Sequence, residues 1–118
     1  MRILFLGDIV GRAGRRAVAR WLPALRTGHR IDFVVANGEN VAGGLGATAE
    51  TLREVAASGI DAFTMGNHVW RHSAFRTALE SMPGVVRPAN YPDGAPGRGM
   101  AVVETGGGEA VGLVNVLG

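Results

Sequence analysis

The 118 residues read as an α/β protein built on a largely parallel sheet. Two observations lead there. Apolar runs alternate with helical stretches in the order strand, helix, strand, helix, strand, a spacing that calls for right-handed crossovers between parallel strands. Each of the first three apolar runs also closes on glycine and polar residues, as strands do where they turn into a ligand crevice. Composition agrees with one ordered unit over residues 1–118. The chain is 47% apolar, and its 19 Gly and 5 Pro make up about a fifth of it, below the roughly 25–30% that marks low-complexity disorder.

The elements follow in order. Arg2–Leu6 is a short apolar run that predicts a buried strand ending at Gly7-Asp8. Val18, Trp21, Leu22 and Leu25 recur at helical spacing, predicting a helix over about residues 14–27 with Trp21 and the leucines in the core. Pro23 should kink that helix or restart it. Ile31–Ala36 is the second strand, ending in Asn37-Gly38-Glu39-Asn40. Thr48 is an N-cap for a helix carrying Leu52, Val55 and Ala56, with Gly59 as its stop. Ile60–Met65 is the third strand, ending at Gly66-Asn67-His68, and a helix from about Ser73 to Met82 follows. Val85-Val86 is a very short strand, Pro88 to Gly99 a loop, and Met100–Glu104 with Ala110–Leu117 a hairpin around Gly106-Gly107-Gly108.

Composition and charge exclude several classes. With no Cys there is neither a disulfide framework nor a thiolate metal site. No apolar run approaches the roughly 18 residues needed to cross a bilayer, and no signal-peptide pattern opens the chain, so a cytoplasmic location without membrane partners is expected. All basic residues are Arg, and the absence of Lys rules out a Walker A phosphate loop. Gly7, Gly11 and Gly14 do not form the dinucleotide fingerprint either, and Asp8 at that turn would repel a pyrophosphate. Residues 1–30 carry seven Arg against one acid, whereas the rest has five against nine. Without interleaved aromatics this reads as a solvated helix face, and RNA binding through it is the weaker alternative.

Chemistry gathers at the strand ends. Asp8, Glu39, Asn40, Asn67 and His68 lie far apart in sequence but would converge on one edge of a parallel sheet. Taken singly, Asp8 reads as a cap or loop residue, Asn40 and Asn67 as turn residues, and His68 as structural. Three successive strand ends carrying such groups are more than turn chemistry requires. Two carboxylates, two carboxamides and an imidazole suit Mn, Fe or Mg rather than soft ions. No Ser or Thr is paired with a base, so water activated by two metal ions is the expected nucleophile, Asp8 and Glu39 are the charged ligands, and His68 is the general acid. His29 and His72 are read as structural, and Trp70 either walls the site or packs.

Four segments carry a resemblance: GDIVGRAGR (Gly7–Arg15), ANGENVAGGLGAT (Ala36–Thr48), TMGNHVW (Thr64–Trp70) and RPANYP (Arg87–Pro92). In these the chain resembles the bacterial two-metal 2′,3′-cyclic-nucleotide phosphodiesterases, a branch of the calcineurin-like metallophosphoesterase superfamily. The resemblance implies the N-terminal part of a single metallophosphoesterase-type α/β sandwich. By position it implies Asp8 and Asn40 on a first metal, Glu39 bridging two, Asn67 on the second, and His68 as proton donor to the leaving sugar oxygen. The implied cofactors are two divalent or trivalent ions, Fe or Mn first and Mg as the alternative. The implied partner is a small phosphodiester substrate, with no specific nucleic acid, and a homo-oligomer is compatible with it. Arg71-His72 departs from the pattern where an acidic residue would come first. Members of the family also draw further His ligands from a second half, of which these residues contain none. This portion is therefore expected to be inactive alone. The competing reading is a non-catalytic module that needs a partner or the remaining half.

Overall fold

A computed structural model describes Met1–Gly118. Its element order is β1 (Ile3–Asp8), α1 (Gly11–Gly28), β2 (Phe33–Asn37), α2 (Ala49–Ala56), β3 (Ala62–Thr64), a single 3₁₀ turn (Asn67–Trp70), α3 (Phe75–Ser81), β4 (Val85–Val86), β5 (Met100–Glu104) and β6 (Ala110–Val114). Strands β1 to β4 form one parallel sheet in sequence order, while β5 and β6 form a separate antiparallel hairpin.

The helices cover one face of the parallel sheet and the hairpin covers the other. Alternation along β2 shows why. Val34 and Ala36 join the helix-side core with Leu22, Leu52, Val55, Phe75 and Leu79. Phe33 and Val35 point the other way, into a second cluster with Ala62, Val86, Val111 and Leu113. Both faces of β2 are thus buried, so its sequence reads as a continuous apolar run.

Local chemistry sets the helix limits. Thr48 and Thr51 form a reciprocal cap at the start of α2. Gly59, at φ 109°, ends the turn after it. Helix α1 begins three residues before its apolar stripe predicts and runs unbroken through Pro23, with no restart. No helix is long and apolar enough to cross a membrane.

Two sequence expectations about burial are corrected. Strand β1 is an edge, not a buried strand: Leu4 and Leu6 pack on the helix side, but Ile3 and Phe5 are exposed because the hairpin stops short of them. Trp21 is not core. It is 58% exposed, as is much of Leu25, and only Leu22 of that stripe is fully buried. The helical phase explains this, since Gly11, Arg15, Val18, Leu22 and Arg26 are α1 positions turned inward, and Trp21 lies off that line.

Replacement of Leu52, fully buried between α2 and the sheet, by Ala is expected to destabilise the fold by about 2–5 kcal/mol. Trp21→Ala should stay within about 0.5 kcal/mol of the parent. Urea denaturation of both variants checks the burial assignment, and a large loss for Trp21→Ala would contradict it.

Candidate functional site at the strand ends

Parallel pairing brings the carboxyl ends of β1, β2 and β3 level: Asp8 pairs with Asn37, and Asn37 with Thr64. The register shifts by one residue at Gly7, a bulge that carries Asp8 to the end of β2. The loops beyond are tied back to this edge. Ile9 N–H donates to Asn37 O at 3.1 Å, Gly11 N–H to Asn40 O at 2.9 Å, and Gly38 N–H to Thr64 O at 3.0 Å.

Four of the five expected side chains meet here. Asn40, buried, donates from Nδ2 to Asp8 Oδ2 at 2.8 Å. A carboxylate only accepts, so this contact fixes the amide and turns Oδ1 toward His68, whose Nδ1 lies 2.7 Å away. An amide oxygen cannot donate, so Nδ1 carries the hydrogen and Nε2 is left free. Glu39 completes the group. Its Oε2 accepts from the His68 backbone N–H at 3.3 Å and lies 3.7 Å from His68 Nδ1. The imidazole is about one-third exposed, and Glu39 is mostly buried. Asn67 is exposed at the start of the 3₁₀ turn and makes no hydrogen bond to the other four.

Three supporting residues escape a search for charged or ligating groups. Asn37 Oδ1 accepts from the Glu39 backbone N–H at 3.0 Å, and its Nδ2 reaches Glu39 Oε1 at 3.5 Å, so a turn residue holds Glu39 at both its backbone and its carboxylate. The Asn-x-Glu spacing was the available signal. Gly66 is needed for space: a Cβ there would run into the Glu39 carboxylate. Asn115 donates to Met65 O, and Ala89 N–H donates to Asn115 O at 2.6 Å, fastening the exit of β6 beneath the end of β3. Its only trace in the sequence is one polar residue interrupting an apolar run. His72 bonds Leu45 O from Nε2 at 3.2 Å, and Trp70 packs edge-on against Tyr91, their rings 5.5 Å apart.

The donors are of one kind. Asp8, Glu39, Asn40 and Asn67 offer only hard oxygen, which fits Mn, Fe or Mg. No three His, Asp or Glu side chains cluster closely enough to hold an ion by themselves.

A family model described as YmdB-like protein matches residues 4–118. The chain belongs to the YmdB-like family. It is 42% identical to the 2′,3′-cyclic-nucleotide 2′-phosphodiesterase of Bacillus subtilis across 118 residues, which is all of this chain and 44% of that protein. Among solved structures, a hypothetical protein of Thermus thermophilus matches with a TM-score of 0.90 and 44% identity, over 100% of this chain and 45% of that one. A phosphatase of Mycoplasma pneumoniae matches with a TM-score of 0.88 and 29% identity, over 98% and 42% respectively. The YmdB-like relatives named for an activity are thus phosphoesterases, and the chain spans under half their length. These likenesses bear out the phosphoesterase-type α/β fold expected from the four segments.

Gly66→Ala is expected to push the Glu39 carboxylate, the end of a flexible side chain, off its seat at a cost of under about 1 kcal/mol. The His68 backbone amide resonance should shift as its bond to Glu39 lengthens. An unchanged amide shift with unchanged stability would contradict this placement.

Proposed function

We propose that this chain carries the acid-base and carboxylate side of a metal-dependent phosphodiesterase site acting on 2′,3′-cyclic nucleotides or related phosphoesters. The observation that carries the reading is the Asp8–Asn40–His68 hydrogen-bonded line with Glu39 beside it, at the carboxyl edge of a parallel sheet. The resemblance of the Gly7–Arg15, Ala36–Thr48, Thr64–Trp70 and Arg87–Pro92 segments, and the name of the Bacillus subtilis relative, support the substrate class.

Asp8, Glu39, Asn40 and Asn67 would hold two Mn or Fe ions, or Mg, together with further donors from the remaining length that the relatives have. When bound, such ions supply positive charge to the phosphoryl oxygens and bring the pKa of water to near 7. This chain's own residues then act as follows. Asn40 holds the imidazole of His68 through Nδ1 and is itself held by Asp8, so the ring keeps one orientation. Nε2, which makes no hydrogen bond within the chain, is the ring atom that gives a proton to the departing sugar oxygen. The Glu39 carboxylate, 3.7 Å from Nδ1, lies on the side of the ring away from Nε2. Asn37 keeps Glu39 in place. The specific metals, the cyclic substrate, a cytoplasmic location and a homo-oligomeric form belong to this proposal.

A second reading draws on a specific observation. Because this chain assembles no three-residue anionic or imidazole cluster, residues 1–118 alone would be an inert module awaiting its other half. Both readings predict that the isolated chain leaves 2′,3′-cyclic AMP intact; they part on the protein with the length of its relatives. There, with Mn or Fe, turnover is expected, and His68→Ala should lower kcat about 10²–10⁴-fold. Wild-type turnover by His68→Ala and Asp8→Asn together would defeat the enzyme reading.

A further inference from the structure

The outer face of α1 carries a row of charge that the site does not use. Arg12, Arg16 and Arg20 fall at i, i+4 and i+8 on one stripe, all exposed. Ion pairs of Arg side chains involve only Arg15 and Arg26, which turn inward. Arg15 spans Glu54 and the Val41 and Ala42 carbonyls, while Arg26 spans Asp61 and the Gly59 carbonyl. The stripe has neither partner. Helix α1 contains no acidic residue, so like charges face one another along it, and Arg12 sits in the first turn where the helix dipole is already positive. An uncompensated row of this sort is electrostatically unfavourable until a polyanion lies on it.

An aromatic also lies beside the row. Trp21 is 58% exposed, and the Arg20 guanidinium lies 5.2 Å from its ring centroid. Trp21 flanks the stripe, with one ring face against the Arg20 guanidinium; arginines beside an exposed aromatic are a pairing that single-stranded nucleic acid uses, phosphates on the arginines and a base on the ring. An acidic protein segment would use the charges but leave the indole face idle. The opposite end of the track joins the site: Arg12 follows Gly11, whose N–H is bonded to Asn40 O. The three arginines span about 12 Å along the helix.

The geometry points to α1 as a sequence-independent docking track for single-stranded RNA, running from Trp21 through Arg20, Arg16 and Arg12 to the strand-end site. That the docked strand presents its 3′ end, with a terminal cyclic phosphate, to His68 rests on the phosphodiesterase reading; the track itself does not.

Fluorescence anisotropy of a labelled RNA decamer with the full chain, from 50 to 200 mM salt, tests it. Three phosphate contacts give an expected slope of log affinity against log salt of about −2. Arg12→Ala with Arg16→Ala and Arg20→Ala should bring the slope close to zero. Trp21→Ala should weaken binding about 5- to 100-fold with the slope unchanged. Circular dichroism confirms that the variants fold, as exposed positions should allow. A slope unaffected by the triple change, full affinity in Trp21→Ala, or equal competition by polyglutamate of the same length would each overturn the track. RNA binding as expected, with no hydrolysis of a cyclic phosphodiester by the protein with the length of its relatives, would refute the phosphodiesterase reading and leave the track standing.

Discussion

The in-register parallel pairing of β1, β2 and β3 is the constraint on which the remaining structure depends. Parallel strands point their carboxyl ends the same way, so polar residues placed after each strand must share one edge. Asp8 and Asn37 are level only because the bulge at Gly7 absorbs one residue. Helices on one face and the hairpin on the other bury β2 completely and leave that edge with little freedom to slip.

From that edge the side chains lock one another. Each contact in the line from Asp8 to Asn40 to His68 decides the next, because a carboxylate only accepts and an amide has one donating end. The line selects a tautomer of His68 without any direct bond from a carboxylate to the ring. Glu39 is positioned independently, from Asn37 below and from the 3₁₀ turn at His68 above, over a glycine that leaves room for it. The polar side chains at this edge consequently hold one another in a single arrangement. Groups held in one arrangement lower the cost of reaching a reactive geometry.

Sequence patterning made the architecture legible where one rule governed an element. Thr48, Gly59, the short Val85-Val86 strand and the first hairpin strand appear where the sequence puts them, while the second hairpin strand, expected over Ala110–Leu117, ends at Val114, where Asn115 bonds Met65 O instead. Asp8, Glu39, Asn40 and His68 could be named because strand order alone makes them neighbours. The failures lie where neighbours in space decide. Strand β1 has a central-strand sequence but an edge position, and nothing in Arg2–Leu6 records what lies beside it. Trp21 matches the apolar period, yet Arg26 takes an inward place through its ion pair with Asp61. The roles of Asn37, Gly66 and Asn115 depend on atoms of other strands and leave only faint local marks.

Membership of the YmdB-like family and the likeness to solved phosphatase-type structures account for the fold, and the chain spans under half of those relatives. The central claim is narrower: the strand-end residues of this chain act as one coupled unit. A double-mutant cycle on Asn40→Ala and His68→Ala, read by urea denaturation, tests it most directly. Coupling of about 0.5–3 kcal/mol is expected for side chains in one hydrogen-bonded network. Additive effects, with an interaction energy near zero, would contradict it.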